Sequence, residues 1–450
     1  MKLRLGIAVM LLCMGTLTAQ TFRGGILGTV TDASGAAVAG AQVTATNTGT
    51  ALTRTATTND QGDYFLTELP LGDYSVTLSK AGFKTQTMKG VNVAVGASQR
   101  VDAQLTPGEV KETLEVTAEV PLVDTTSNVL GGTISGKTAV ALPTSGRDYI
   151  KLLGLIPGVN ADPSAVTDFP GSFGLFSING NRGRSNNYLL DGTDMNDGYR
   201  NLPSINEAGV FGTPATLLPI DALAEIPVMN NVEAEYGRNS GAIVNLVTKS
   251  GTNAFHGSLY EYFRNDALDA RNYFNTDNFQ QSKFRNNQFG GSFGGPIWKD
   301  HTFFFLAYEG QRERVGIPTV SVLPTQDQIN CFLANGGTIH PIISNLLALN
   351  PWTQGSALPV SGDGGAATQG DLCATTPATP LSTTLDAAGS NDLHSFIGKI
   401  DHHFGKGDVL TGRYFYGHSD QSFPLGLVGG SAVPGYNTVT PTTVHVVSAS

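Results

Sequence analysis

The sequence predicts a mainly β protein, and three observations carry that expectation. Glycine is abundant at 55 of 450 residues, charged residues make up only 14 %, and apolar residues recur at every second position in several stretches. Helix surfaces are stocked with Glu, Lys and Arg, and each interior glycine weakens a helix by about 1 kcal/mol. Thr, Val, Asn and Gly favour strands and turns instead. The length suits two or three domains. A formal charge of -10 argues against nucleic-acid binding, which needs a basic face.

Residues 1–19 read as a secretory signal peptide. Lys2 and Arg4 make a positive start, Leu5 to Leu12 an apolar stretch, and Thr18-Ala19 a small-residue cleavage site. The apolar part is shorter than the roughly 20 residues a spanning helix needs. Cys13 follows Leu11-Leu12 rather than a small residue, which speaks against a lipoprotein anchor. No later segment is long and apolar enough for a helical span, so membrane entry would have to use strands. Cleavage leaves Cys331 and Cys373 in a loop-like stretch. An exported protein meets oxidising conditions, so a loop disulfide between them is expected, with two free thiols as the alternative.

Residues 22–105 alternate strands and turns. Val91, Val93 and Val95 share one face, as do Val101, Ala103 and Leu105, the period of two of a half-buried strand. Turn residues intervene at Asp32-Ala33-Ser34-Gly35, Asn59-Asp60-Gln61-Gly62 and Leu71-Gly72-Asp73. Roughly seven short strands at this spacing predict a sandwich. Gly28-Thr29-Val30-Thr31-Asp32, Gly40-Ala41, Asp60-Gln61-Gly62-Asp63-Tyr64, Leu69-Pro70-Leu71-Gly72-Asp73-Tyr74 and Gly82-Phe83 resemble the carboxypeptidase regulatory-like domain. Despite that name, none of the 8 histidines begins a His-x-x-Glu pair that could hold a catalytic zinc. The module is expected to be non-catalytic, and the chain not to be an enzyme.

Pro107-Gly108 should end the sandwich. In the linker 106–119, Glu112-Thr113-Leu114-Glu115-Val116-Thr117-Ala118 alternates apolar and polar residues, a strand with no partner of its own. It resembles the TonB box of TonB-dependent transporters, an extended tag able to add to a partner's sheet edge through main-chain hydrogen bonds. Residues 120–250 resemble the plug domain of the same family. The resemblance rests on Leu142-Pro143-Thr144-Ser145-Gly146-Arg147-Asp148-Tyr149, Tyr188-Leu189-Leu190-Asp191-Gly192, Ala224-Glu225-Ile226-Pro227-Val228 and Glu235-Tyr236-Gly237-Arg238 running into Ile243-Val244-Asn245-Leu246-Val247-Thr248. Gly241-Ala242 stands where most plugs have two glycines, which resembles the Oar-like branch.

Residues 251–450 change to longer, aromatic-rich strands. Phe289, Gly291, Phe293, Gly295 and Ile297 oppose Gln288, Gly290, Ser292 and Gly294. Phe396, Gly398, Ile400 and Phe404 oppose Ser395, Lys399, Asp401 and His403, and Leu410, Gly412, Tyr414 and Tyr416 oppose Thr411, Arg413, Phe415 and Gly417. Phe303-Phe304-Phe305-Leu306 breaks the rule, with aromatics on both faces. Strands of about ten residues, apolar outward and polar inward, suit a lipid-facing barrel wall. Short turns at Trp298–His301 and Gly405–Asp408, against a long polar excursion at about 314–391, place the turns on the periplasmic side.

The resemblance therefore implies an N-terminal β-sandwich, an α+β plug and the first strands of an antiparallel transmembrane β-barrel. Roughly five or six wall strands are legible, too few to close a barrel of 8 or more, so the chain reads as a fragment of a longer gene product or as a truncated reading frame. It also implies an outer-membrane transporter with plug and sandwich toward the periplasm, energised by inner-membrane TonB, bedded in outer-membrane lipid and moving an unidentified ligand. The alternative is a secreted or surface-attached binding protein, an adhesin without transport. That reading accounts for the signal and the sandwich, but not for the tag, the plug or the aromatic strands.

Three tempting motifs carry less. Gly131-Gly132-Thr133-Ile134-Ser135-Gly136-Lys137-Thr138 fits the P-loop pattern, yet Pro143 interrupts the helix a phosphate cradle needs, so no nucleotide is expected. Asp191, Asp194, Asn196 and Asp197 miss the alternate positions of a calcium loop. His402 and His403 fall on opposite faces of a strand. No cofactor and no metal are expected.

Overall fold

A computed structural model describes residues 23–108, 113–117, 130–161, 176–198, 201, 203, 205, 216–230, 237–270, 283–323, 332–349, 356–359, 381–405, 408–424 and 437–450. The signal peptide, Cys331 and Cys373 lie outside these residues. Among the described residues no helix is long and apolar enough to cross a membrane; what dominates is strand.

The sandwich is built from β1 (Gly24–Asp32), β2 (Gln42–Asn47), β3 (Thr53–Thr57), β4 (Asp63–Leu69), β5 (Gly72–Ser79), β6 (Thr85–Val93), β7 (Ser98–Arg100) and β8 (Ala103–Leu105). One sheet runs β4-β1-β7, with β8 also on β1. The long β1 takes β7 and β8 in succession along the same edge, both parallel. The facing sheet begins β3-β2-β5-β6. Between them Val30, Val43, Val76, Leu78, Val91 and Leu105 are buried, as the alternation requires. The turns follow their chemistry: Asp32 accepts the amides of Ser34 and Ala36 at 2.8 and 2.9 Å, and Asn59 accepts those of Gln61 and Asp63. Gly62, at φ 80°, would carry a Cβ only 2.5 Å from the Val30 carbonyl oxygen, which explains the glycine.

The sandwich does not end at Pro107-Gly108. A further strand, β9 (Thr113–Thr117), completes that second sheet on the edge of β6. The strand expected to lack a partner has one in its own domain. Main-chain pairing of this kind leaves no side-chain signature, which is why sequence pattern missed it.

A second unit follows. It comprises β10 (Leu130–Ser135), the short helix α1 (Gly136–Ala141), β11 (Val159–Ala161), β12 (Phe176–Ile178), β13 (Asn187–Leu190), β14 (Thr193–Asp194), β15 (Leu223–Asn230) and β16 (Ile243–Thr248). Its main sheet is ordered β10-β15-β16-β13-β14. Every residue of β16 is buried, as its apolar run demands. The P-loop pattern dissolves here: Gly131 to Ser135 lie in β10, antiparallel to β15, and the Ser135 hydroxyl accepts the Thr138 amide.

The third unit is one meander of β17 (His256–Asn265), β18 (Phe284–Trp298), β19 (Thr302–Leu323), β20 (Ser356–Pro359), β21 (Leu381–Phe404), β22 (Asp408–Pro424) and β23 (Asn437–Ala449), with helix α2 (Pro341–Leu349) in the long connection. The order is β17-β18-β19-β21-β22-β23, β20 pairing with β21, and the sheet is not closed into a barrel. The polar excursion is shorter than expected, because β19 and β21 stay paired as far as Leu323 and Leu381. At about 3.3 Å per residue the 22 residues of β19 far exceed a hydrocarbon core of about 30 Å.

The wall alternates as its sequence predicts. Ile400 and Leu410 are each 51 % exposed, while Ser395, Lys399, Asp401, His403 and Arg413 are buried on the other face. The Phe303–Leu306 anomaly also resolves. Phe303 and Phe305 point inward and are buried, whereas Leu306 is 40 % exposed on the outer face. The inner face is not simply wet: Phe305, Ala307, Ile397 and Phe415 share one hydrophobic core with Ile150, Leu153, Leu190, Leu223 and Val244 of the second unit.

Candidate functional site: the interface between the second unit and the wall, and strand β9

The second unit sits against the inner face of the wall, and two buried ionic contacts join them. The first grows from a tight turn. Residues Ser145–Arg147 form a kinked turn in which Gly146 is left-handed at φ 75°, and Arg147 adopts φ 48°, a left-handed conformation that costs a non-glycine residue of order 1–3 kcal/mol. The turn drives the Arg147 guanidinium into the wall. It pairs with the Asp221 carboxylate and lies 3.5 Å from Glu309 of β19. The rings of Tyr260 and Tyr262 on β17 flank it at 4.5 and 4.3 Å. Tyr260 donates its hydroxyl proton to Glu309 at 2.7 Å, and Gln288 donates to the Gly146 carbonyl at 2.9 Å. Two carboxylates around one guanidinium, all nearly solvent-free, hold charge that would be costly if any member left alone.

The second contact lies at the ends of β13 and β16. Asp191, at φ 42°, accepts the Thr248 amide at 2.7 Å and pairs with Arg413 of β22 at 2.7 Å. Arg413 also donates to Ser448 of β23 at 2.8 Å. The acidic stretch is thereby engaged within the protein: Asp194 pairs with Arg238 and accepts the Asn196 amide at 2.8 Å, while Asn196 accepts the Tyr188 amide. As expected, His402 and His403 diverge. His402 hydrogen-bonds Thr302, and His403 is buried on the inner face beside the Phe303 ring at 5.3 Å.

Sequence reasoning missed Arg147, Asp221 and Glu309 as a set. The available signal was Glu309, Gln311 and Glu313 at alternate positions of an aromatic strand, which marks an inner face but names no partner.

Close packing also explains the Gly241-Ala242 pair. A Cβ at Gly241 would lie 2.4 Å from the Ser185 carbonyl oxygen, so glycine is required there. Ala242 is buried at 2 % exposure and fits as it stands.

The sandwich meets the other two units at the short-turn end of the wall. The Val95 amide donates to Glu225 of β15 at 2.8 Å, and burial pushes that carboxyl above its usual range, partly offset by this bond. The Asn253 amide donates to the Gly49 carbonyl at 2.9 Å. Asn253 also exchanges hydrogen bonds with Asp300, in the turn between β18 and β19, at 2.7 and 2.8 Å. A cavity of about 470 Å³ remains between the three units, its mixed lining including Asp73, Glu225, Lys249, Lys399, His403 and Arg413.

Of the expected tag, Glu112 and Ala118 lie outside the described residues. Thr113, Leu114, Glu115, Val116 and Thr117 form β9, parallel to β6 with Thr85 opposite Thr113 and Lys89 opposite Thr117.

A sandwich, a filled unit and an open lipid-facing meander define an outer-membrane β-barrel protein with an N-terminal accessory module. Comparison agrees: residues 247–450 match the outer membrane beta barrel domain, and residues 25–106 match the carboxypeptidase regulatory-like domain. The chain is a homologue of the TonB-dependent transporter Oar of Myxococcus xanthus, 30 % identical over 298 residues that cover 63 % of this chain and 26 % of Oar. It thus spans about a quarter of the length of that relative. Among solved structures, a mutant of the ferric enterobactin receptor from Pseudomonas aeruginosa is 15 % identical, with a TM-score of 0.39 over 71 % of this chain and 38 % of that one. The siderophore receptor PirA of Acinetobacter baumannii is 16 % identical, with a TM-score of 0.36 over 70 % and 44 %.

Proposed function

We propose that this chain belongs to an active transporter, in which residues 120–250 are the plug, residues 251–450 the first part of the wall, and Glu112 to Ala118 the segment through which TonB delivers energy. The observation that carries the reading is the shared core and buried ion pairs between plug and wall. A wall whose inner face is filled by its own polypeptide blocks free diffusion. Passage then requires the plug to be loosened, and loosening takes work. The transported ligand would leave through the short-turn end, past the cavity under the sandwich.

An extended segment suits force transfer, because main-chain pairing with a partner's sheet edge is strong along the strand and independent of side-chain detail. The homologue is a transporter, and the sandwich is read as a non-catalytic module. Val116→Pro removes one strand amide from the tag. In the full-length gene product it should abolish energy-dependent transport while leaving ligand binding at the cell surface intact. Unchanged transport would reject the assignment of the tag.

A further inference from the structure

The coupling strand is already occupied. The chain leaving β8 is steered onto β6 by three main-chain ties: Lys84 donates to the Thr106 carbonyl at 2.9 Å, Gly108 donates to the Gly82 carbonyl at 3.1 Å, and Phe83 bridges Pro107. Beyond them, Thr113 to Thr117 lie in parallel register with Thr85 to Lys89. β9 closes the sheet; without it, the outer edge of β6 would present a row of unpaired amides and carbonyls.

We propose that the sandwich withholds the tag: residues 113–117 pair either with β6 of their own chain or with the sheet edge of TonB, and the regulatory-like domain sets how often the second is available. This rests on the tag assignment made above. The exchange is nearly balanced, since one main-chain ladder replaces another. The internal partner, however, is held nearby by the tied connection, so its effective concentration is high. Apparent affinity for the external partner falls by the fraction of time the strand is free. Anything that loosens the sandwich from the plug, such as loss of the Val95–Glu225 contact, could shift that fraction without touching the tag.

The test is a reversible lock. Thr87 and Glu115 are register partners, so Thr87→Cys with Glu115→Cys, with Cys331 and Cys373 changed to serine, would bridge the two strands. Binding of the periplasmic part of TonB is then measured on the purified full-length product, oxidised and reduced, and on a synthetic peptide of residues 110–120 that carries the same Glu115→Cys change, so that both reduced species present one tag sequence. We expect the oxidised protein to lose binding, the reduced protein to regain it, and the peptide to bind about tenfold or more tightly than the reduced protein. Equal binding by oxidised and reduced protein would overturn the proposal and leave the tag assignment standing, since the partner would then read the open edge of β9. Failure of the peptide itself to bind would overturn the tag assignment, and the proposal with it.

Discussion

Arg147 of the plug lies 3.5 Å from Glu309 of the wall, its guanidinium shared with Asp221 and flanked by two neighbouring tyrosine rings. These residues come from distant parts of the chain, and neither carboxylate has solvent to turn to. The pair is therefore one of two buried ionic links between the two units among the described residues.

Removing Arg147 alone should be severe. Arg147→Met leaves Asp221 and Glu309 buried without their cation, which typically costs about 3–5 kcal/mol. Urea unfolding of the refolded full-length product in detergent would show this as a lowered plug transition. Adding Glu309→Gln to Arg147→Met should recover part of the loss, because one stranded charge disappears. A loss below about 1 kcal/mol would mean that the cluster is solvated.

Asp148, next in sequence, provides a pH-dependent test within the plug. It is fully buried, and burial pushes its carboxyl up to about 6, against the opposing effects of Lys151 and the Ile150 amide. A raised carboxyl favours the folded state below the unfolded value near 3.8, and that advantage is lost as pH rises through about 6. At pH 7 the ionised form therefore costs about 3 kcal/mol, at roughly 1.4 kcal/mol per unit. Asp148→Asn keeps an acceptor for the Ile150 amide and carries no charge. The variant should be more stable than the parent at pH 7 and gain little at pH 4. Parallel stability curves from pH 4 to 7 would contradict the buried-carboxylate reading.

The outer face should tolerate charge poorly. Leu306→Arg places a cation on the lipid side of β19, where mid-depth arginine costs about 2–4 kcal/mol. Folding yield into lipid vesicles, followed by heat-modifiable gel mobility, should fall. An unaltered yield would place Leu306 outside the hydrocarbon.

Much of this architecture was legible in the residues, and the exceptions have physical causes. The alternation in β18, β21 and β22 survives because one face is exposed and the other buries mostly polar side chains such as Gln288, Ser395, Lys399 and Arg413, with Ile397 and Phe415 joining the shared core. It fails at Phe303–Leu306 because Phe305 joins the core of the second unit and Phe303 is buried beside His403, environments that a two-way code does not anticipate. The turns at Asp32 and Asn59 were readable because side chain and backbone act within a few residues of each other. Contacts such as Arg147–Glu309 and Asp191–Arg413 join residues far apart in sequence, and nothing local names the partner. The β6–β9 pairing is main-chain chemistry, which almost any strand sequence can satisfy, so it left no trace.

The most direct test of the central claim is a label scan of β19 in the full-length product reconstituted in lipid. Spin labels at positions 303 to 308, one at a time, report contact with a lipid-soluble relaxant. The account predicts a period of two, with 304, 306 and 308 in contact with lipid and 303, 305 and 307 shielded on the buried inner face. Uniform contact with a water-soluble relaxant at all six sites would show that this strand is neither membrane wall nor plug support.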